Sequence, residues 1–509
     1  MRSVILSLIV CLSLAPASLA QHHSALWGEN GENWSPTSRL PDVSYAGYRQ
    51  GEAPIPDVPV AANIKDFGAV GDGEHDDSEA FLKAIEEVES GAILIPDGTY
   101  MITEILEIRK PNLVLRGESR DGTILFFPKY LNDIEPNWGA TTSGRRTSNY
   151  SWSGGFIWLK GSYQSERLAS VTEAAQRGDQ WIAIDSTEDL SVGQWIDVFQ
   201  SDTEDNTLAR HLYTDQPGEM EEIRGRTNAS IASRILEIDG NKIKLQRPLR
   251  FDLQERWDPR VRRFAPTLQE SGVENLTFRY PVTPYEGHFT ELGYNAIAFY
   301  RAVNCWVRNI RIQHADSGLF IRGRFNTVDG VLYESDREPD NRNDTGHHGL
   351  TFSGDDNLFT NFTFQTSFIH DITVTHCAGN VISNGEGVDL SLDHHKRVPY
   401  ANVFTNLDAG KGNQVWRCGG GRALGKHCAG YGTFWNIRAE NPIQYPRDNF
   451  GPDSMNIVAL TTDQPSITQQ DGKWFEVIDP ESIEPQNIHQ AQLEYRLRHS
   501  DDSAPTGQP

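Results

Sequence analysis

The amino-acid sequence predicts an all-β solenoid, in which short strands stack coil upon coil along one axis. Short segments rich in β-branched and aromatic residues recur through the second half of the chain, with asparagine, aspartate or glycine at their edges. Their apolar positions alternate, which places one row of side chains inside the stack. The spacing corresponds to irregular coils of roughly 20 to 35 residues, and asparagines at matching positions are expected to form ladders between coils. The clearest segments are Val273–Phe278, Cys305–Ile312, Asn357–Phe364, Ile369–Val374, Asn402–Leu407 and Phe434–Ile437.

The N-terminus has the features of a secretory signal, predicted to cover residues 1–20. An apolar run from Val4 to Leu14 follows a basic start, and Ser18-Leu19-Ala20 offers small residues for cleavage. The run is short for a membrane anchor, and the bulky Val10 before Cys11 argues against a lipoprotein signal. We therefore expect a secreted or periplasmic protein without a membrane span.

Charge narrows the range of partners. The 509 residues carry 46 basic and 70 acidic side chains, a net charge of −24. Such a surface disfavours nucleic acid and anionic membrane, and it weakly disfavours a polyanionic substrate unless the binding groove is locally basic. We expect a monomer.

Five further regions follow the signal. Residues 21–60 are a proline-rich extended arm, and residues 61–125 hold the first coils with a helix whose apolar face contains Ala80, Phe81, Ala84, Ile85 and Val88. Residues 126–265 break the pattern and predict a small antiparallel β insertion, with a hairpin turn at Asp239-Gly240-Asn241. Residues 266–470 resume the solenoid and contain the candidate active site. Residues 471–509 form a polar C-terminal tail, disordered beyond Ser500.

The start of the solenoid carries a recognisable motif. It consists of Asp66-Phe67-Gly68-Ala69, Gly71-Asp72-Gly73, Asp76-Asp77, Ala80 and Ile95-Pro96-x-Gly98-x-Tyr100. This pattern resembles the opening motif of the pectate-lyase-like superfamily. The resemblance implies a right-handed parallel β-helix whose open end is plugged by the helix. The same motif opens lyases, glycoside hydrolases, epimerases and phage tailspikes, so it leaves the chemistry open.

Histidines are the main indication of chemistry. His348, His370 and His394 are spaced by 22 and 24 residues, close to one coil, and Arg417 follows after a similar interval. We therefore predict that the three imidazoles and Arg417 stack on one outer face as a catalytic column, because histidine titrates near neutrality. Asp371 and Asp393 adjoin two of these histidines and are expected to orient them.

The segment Asp393-His394-His395-Lys396-Arg397 is the densest polar cluster. A lyase acting on a uronic-acid glycan must neutralise the carboxylate, remove the α-proton and protonate the leaving oxygen. His394, Lys396 and Arg397 are suitable catalytic groups, and His395, Tyr400 and Trp416 are predicted to bind substrate. The alternative is a solvated, charged turn.

Other chemistries have weaker support. A hydrolase needs two carboxylates, and Asp355-Asp356 is the best pair, although both residues suit a turn. Asn384, Glu386 and Asp389 offer oxygen ligands for calcium, but they match no calcium-loop motif. Trp416, Trp435, Tyr285 and Tyr294 are candidates for sugar stacking. The four mature cysteines are Cys305, Cys377, Cys418 and Cys428; Cys418 and Cys428 either close a small loop or remain free thiols.

These observations favour a polysaccharide lyase that cleaves an acidic, uronic-acid-containing polysaccharide by β-elimination. A glycoside hydrolase on the same scaffold is the runner-up. A uronan epimerase and a non-catalytic glycan-binding surface protein remain open alternatives.

Overall fold

The computed structural model describes residues 21–141 and 143–500, and it shows a right-handed parallel β-helix with three faces. The predicted signal sequence and the predicted disorder beyond Ser500 lie outside these residues. The first face is formed by Val60–Asn63, Gly91–Ile95, Leu113–Gly117, Gly272–Arg279, Trp306–Gln313, Thr327–Glu334, Leu358–Thr360, Val381–Gly387, Val403–Asp408, Thr433–Arg438, Asn456–Leu460 and Trp474–Glu476, each parallel to the next.

The second face adjoins the first around a sharp corner. Asp72–Asp76, Gly98–Met101, Thr123–Phe126 and Thr363–Phe364 belong to it, together with the C-terminal halves of the longer first-face strands. Asparagines such as Asn309 (φ 51°) and Asn406 (φ 53°) adopt the left-handed conformation at this corner, which asparagine tolerates better than most residues. The Asn406 side chain donates to Asn384 at 2.8 Å, and a second, buried ladder includes Asn357 donating to Asn380 at 3.0 Å. The predicted ladders are confirmed.

The third face is a separate parallel sheet of seven strands, and it carries the candidate site. In spatial order its strands are Leu106–Ile108, Ile157–Lys160, Asn295–Val303, Ser317–Arg324, Gly346–Phe352, Phe368–Val374 and Leu392–His394. Ile297, Leu319, Leu350, Ile372 and Leu392 lie in register and form one row of the interior core.

The capping helix spans Ser78–Glu87, and its Ala80, Phe81, Ala84 and Ile85 are buried against the first coils, as the apolar spacing predicts. Further helical segments are Leu131–Ile134, Thr207–Leu212 and Ile488–Ser500. Among the described residues, no helix combines the length and apolar character that a membrane crossing requires.

The insertion is an antiparallel sheet with its own core, and it is narrower than the sequence predicts because Ile157–Lys160 is a solenoid strand. Its strands, in spatial order, are Arg167–Ser170, Arg260–Arg263, Trp195–Ser201, Asn228–Asp239, Lys242–Leu245 and Trp181–Ala183. The hairpin forms as expected, with Asp239 paired to Lys242. Short strands also pair outside these sheets. Tyr163–Gln164 pairs with Ala265–Pro266 beside the insertion, and His22–His23 pairs with Ile483–Glu484. Trp138–Ala140 pairs with Arg146–Ser148, and Ile467–Thr468 pairs with Trp474–Glu476.

The N-terminal arm is ordered and lies against the outer side of the first face. Trp27 and Leu40 bury their side chains on first-face residues near the last coils, together with Ile488 of the C-terminal helix. Further along the arm, Tyr48 packs on Trp306 near the first coils. The arm and the C-terminal helix thus cover part of the first face.

Candidate active site

Five histidines gather at one end of the third face, and we call them the imidazole cluster: His288, His347, His348, His370 and His395. Neighbouring ring centroids lie 4.5 Å apart for His288–His347, 4.1 Å for His347–His348, 5.1 Å for His348–His370 and 5.3 Å for His370–His395. His348 and His370 are register partners on adjacent strands, as their spacing of 22 residues predicts.

His394 is the exception, because it points into the solenoid. It pairs in register with Val374, and its buried ring packs among Phe404, Phe434 and Phe450. The last coil is shorter than the interval of 24 residues suggests: Ile372 lies opposite Leu392, only 20 residues later. Placing His394 in the catalytic column was therefore wrong, and His395 takes the outward position.

Asp393 joins two members of the cluster. Its carboxylate lies 2.7 Å from His395 Nδ1 and 3.2 Å from His370 Nδ1, and it accepts a hydrogen bond from the Gly419 backbone at 2.8 Å. Burial alone would raise its pKa, but the two imidazoles hold the pKa of Asp393 well below its usual range. Burial works against the charge on His395 as well, yet Asp393 outweighs it and raises the pKa of His395.

A second buried carboxylate, Glu291, serves the other end of the cluster. Its Oε1 lies 3.4 Å from His347 Nδ1 and accepts a hydrogen bond from the Tyr285 hydroxyl at 2.5 Å. Burial raises the pKa of Glu291, but His347 and Tyr285 together lower it to about 2. Glu291 is thus a charged group in a closed environment.

Burial keeps the inner imidazoles neutral. It lowers the pKa of His370 to about 3, although Asp393 acts in the opposite direction, and it lowers the pKa of His348 well below the usual value. Neutral imidazole is the form that binds metal ions. Two groups have ligand atoms within 4.8 Å of one another, namely His288 with His347 and His370, and His370 with Asp393 and His395.

Several predicted site residues lie away from the cluster. Asp371 accepts hydrogen bonds from the backbones of Phe368 and Ser391, both at 2.8 Å, and burial raises its pKa to about 7. Arg417 forms a two-pronged ion pair with Asp344, at 3.0 and 2.7 Å. Asp371 and Arg417 therefore bind these partners and do not contact the imidazole cluster.

Trp416 and Lys396 are engaged elsewhere as well. Trp416 packs edge-on against Phe434 and Phe450 and donates to the Gln444 carbonyl at 2.8 Å, which is a packing role rather than sugar stacking. Lys396 Nζ donates to the Arg422 carbonyl at 3.3 Å on the rim beside the insertion.

The remaining aromatic candidates are also buried. Trp435 donates to the Pro485 carbonyl at 2.7 Å, Tyr294 stacks on Tyr130, and Tyr285 serves Glu291. None of the three offers an open ring face to a sugar.

Asp356 anchors the insertion to the solenoid, and its neighbour Asp355 contacts solenoid residues. Asp356 receives Arg247 at 2.7 and 2.9 Å and also pairs with Arg250, and all three side chains are buried. Asp355 lies 3.4 Å from Arg324 and accepts from the Ala378 backbone. Both carboxylates are therefore committed to ion pairs, and this pair is not available to a hydrolase.

The predicted calcium ligands do not converge. Asn384 Oδ1 accepts hydrogen bonds from Asn406 and Asn487, whereas Asp389 accepts from the backbone of Asn413 at 2.7 Å. Glu386 accepts from Thr363. The four described cysteines are all free, so the proposed loop closed by two of them does not form.

A basic pocket lies between the insertion and the third face. It encloses about 250 Å³, and its rim includes Arg301, Arg322, Arg397, His376 and the buried Tyr400. Within the described residues, no carboxylate lies within ion-pair distance of these three arginines, and all three are exposed. The guanidinium groups of Arg301 and Arg322 both lie over the Tyr300 ring, 5.3 Å from its centre.

The basic pocket and the imidazole cluster share one surface. Arg322 stands two residues beyond Phe320, whose ring lies 5.8 Å from His348. Arg397 is two residues from His395, and its charge acts on that imidazole. Burial, followed by Arg322 and Arg397, lowers the pKa of His376 inside the pocket. A ligand in the pocket would therefore extend towards His395.

The sequence prediction of the site missed His288, His347, Glu291, Arg301 and Arg322. His288 and Glu291 come from a loop before the strand Asn295–Val303, where no spacing indicates their position. Only the alternation of apolar and polar residues around Arg322 could have identified it as outward-facing.

Residues 61–135 match the model of a family described as rhamnogalacturonase A/epimerase, pectate lyase-like. This match is a likeness of the start of the solenoid to that family. The resemblance predicted from the opening motif is confirmed, and the match covers the capping helix and the first coils of the pectate-lyase-like scaffold, not the imidazole cluster.

Individual relatives are distant. The plasmin and fibronectin-binding protein A of Streptococcus pneumoniae (strain ATCC BAA-255 / R6) is 32% identical over 120 residues, which is 21% of this chain and 16% of that protein. The tailspike protein gp49 from Pseudomonas phage LKA1 aligns with a TM-score of 0.42 and 14% identity, over 74% of this chain and 63% of the tailspike.

A hyperthermoactive exopolygalacturonase from Thermotoga maritima aligns with a TM-score of 0.31 and 12% identity, over 80% of each chain. This chain thus spans less than two thirds of the pneumococcal protein and of the tailspike. The assignment of the fold depends on the strand register described above.

Proposed function

We propose that this protein is a lyase that degrades an acidic, uronic-acid-containing polysaccharide by β-elimination on the outer surface of the third face. The observation that carries the proposal is the juxtaposition of three exposed arginines without carboxylate partners and an imidazole, His395, held by a buried aspartate. The predicted secretory signal supports a location outside the cytoplasm, where such polysaccharides are found.

The basic pocket supports an anionic substrate. The whole chain carries a net charge of −24, so its overall electrostatic field would repel a polyanion. Arg301, Arg322 and Arg397 reverse that sign locally, and arginine suits carboxylate recognition because its planar guanidinium can donate two parallel hydrogen bonds. Neutralising the uronate carboxylate is also the first requirement of β-elimination, because it acidifies the α-proton.

His395 has the geometry of a positioned base. Its Nδ1 faces Asp393, which fixes the ring and leaves the other ring nitrogen for a substrate, and 31% of the side chain is exposed. An aspartate that orients a histidine in this way is a recurring arrangement in enzymes that transfer protons. Hydrolysis has less support, because the best carboxylate pair is enclosed in ion pairs with arginine.

The test is a screen of the purified mature protein against alginate, pectate, ulvan, carrageenans and fucoidan. A lyase creates a conjugated double bond at each cut, which is followed by ultraviolet absorbance, while the number of reducing ends rises in parallel. His395→Ala is expected to lower the rate at least about 100-fold, within the usual contribution of a positioned base.

Arg322→Gln is expected to weaken binding about 10-fold or more, because it removes a charge-assisted hydrogen bond. Arg109→Gln is the matched control: Arg109 is exposed and lies in the first coils, so both rate and affinity should stay at the wild-type level. Reducing ends without absorbance would indicate a hydrolase, altered uronate composition without cleavage an epimerase, and binding without products a binding protein. Each of these results would overturn the lyase proposal.

A further inference from the structure

The imidazole cluster has a composition that proton transfer alone does not explain. Its histidines lie beside two carboxylates, Glu291 and Asp393. Neither carboxylate has any exposed side-chain surface. Among the described residues, neither carboxylate lies within ion-pair distance of a lysine or arginine; the basic groups within that distance are histidines. Two buried carboxylates that face imidazoles and no lysine or arginine suit the surroundings of a bound divalent cation.

We propose that His288, His347 and His370 bind a divalent transition-metal ion of the zinc class. Their ligand atoms lie within 4.8 Å of one another, a separation that a single ion at about 2.0–2.1 Å from each nitrogen can bridge after small ring movements. Three histidines with an open fourth position form a common tetrahedral site. This inference does not rest on the proposed polysaccharide lyase activity.

The two carboxylates stand where the outer partners of metal-binding histidines stand. Glu291 lies 3.4 Å from His347 Nδ1, and Asp393 lies 3.2 Å from His370 Nδ1. Metal-ligating histidines commonly turn one ring nitrogen to a carboxylate, which fixes the tautomer and leaves the other nitrogen for the ion. Each carboxylate is itself held, Glu291 by Tyr285 and Asp393 by the Gly419 backbone.

An independent observation also indicates a bound ion. His347 Nδ1, His370 Nδ1 and Glu291 Oε2 are buried, yet none forms a hydrogen bond of normal geometry. Each histidine nitrogen faces a carboxylate oxygen without reaching hydrogen-bond geometry, which is rare for buried groups in folded proteins. An ion on the facing nitrogens would draw the rings into line with the carboxylates.

The donor set selects the kind of metal. Calcium and magnesium prefer oxygen ligands, whereas imidazole suits zinc and its neighbours in the first transition row. The candidate calcium ligands of the sequence lie elsewhere and are hydrogen-bonded to asparagines and backbone groups. We therefore expect zinc binding to be retained in excess calcium.

The experiment is a titration of the metal-stripped full-length protein with Zn²⁺ by calorimetry, with Co²⁺ as an optical probe and metal analysis of the protein as purified. One ion per chain is expected, with no heat from Ca²⁺. His288→Ala should weaken Zn²⁺ binding at least 100-fold; because His288 is exposed, this variant should fold normally, as checked by thermal unfolding. Glu291→Gln, which removes an outer partner, should weaken binding about 10- to 100-fold.

His376→Ala is the control, since His376 is an exposed histidine on the same surface but outside the group. It should leave Zn²⁺ affinity unchanged. A wild-type protein that binds no Zn²⁺, or a His288→Ala variant that binds it as tightly as wild type, would overturn the proposal. Because no polysaccharide is present, neither result depends on whether the lyase proposal holds.

Discussion

Gly419 passes directly over the imidazole cluster, and replacing it with alanine is a sharp test of the site. A Cβ atom at this position would lie 2.4 Å from His395 Cε1 and 2.9 Å from His370 Cε1. Carbon atoms in contact are separated by about 3.5–4.0 Å, so the His395 ring must retreat by about 1 Å. A displacement of that size at a reacting group costs about 100-fold in rate.

The assay is the initial rate of double-bond formation on the polysaccharide that responds in the screen, with thermal unfolding as a check on folding. Gly421→Ala is the matched control, because its Cβ would lie 3.3 Å from the flexible end of Leu424 and would touch no histidine. A folded Gly419→Ala protein with a rate within threefold of wild type would refute the placement of His395 at the reacting centre. A crystal structure of that variant should show the His395 ring displaced.

Three further predictions concern stability. Asp356→Asn leaves Arg247 and Arg250 as unpaired buried charges, so urea unfolding should show a loss of about 3–5 kcal/mol; a loss below about 1 kcal/mol would contradict the anchoring role. Asn380→Ala removes a rung of the buried ladder and should cost about 1–3 kcal/mol in the same assay, whereas an unchanged midpoint would show that the ladder is dispensable. Burial lowers the pKa of His489 from 6.5 to about 4, so its contribution to stability is present above pH 6.5 and falls by about 3 kcal/mol as the pH drops towards 4. His489→Leu should flatten this part of the pH–stability curve, and an unaltered slope would rule out His489 as its source.

Much of the scaffold was predictable, because it depends on local patterns. Helix spacing placed Ala80 and Phe81 on the buried face, and the turn at Gly240 specified a hairpin. The recurrence of asparagine at strand edges anticipated the ladders. Each of these features depends on residues close together in sequence or on a regular repeat.

The site was only partly predictable, because its members meet through turns of unequal length. An interval of 22 residues correctly paired His348 with His370, but the next coil is two residues shorter. His394 therefore takes the register position of the inward-facing Val374, and the alternation of side chains turns the next residue, His395, outwards. Glu291 lies in a loop more than fifty residues before His347, and no sequence pattern predicts the contact between them.

The N-terminal arm changes how a solenoid of this kind should come apart. Stacked repeats usually fray from their ends, since each coil touches only its neighbours. Here His22 pairs with Ile483 beside the last coils, while Tyr48 packs on Trp306 many coils away, so one strap runs along much of the stack. If the coils at either end unfold, the N-terminal arm detaches and exposes the apolar side chains that it covers on the middle coils. We expect the β-helix to unfold in a single cooperative transition. Proteolytic cleavage of the arm should replace this transition with stepwise unfolding of the coils.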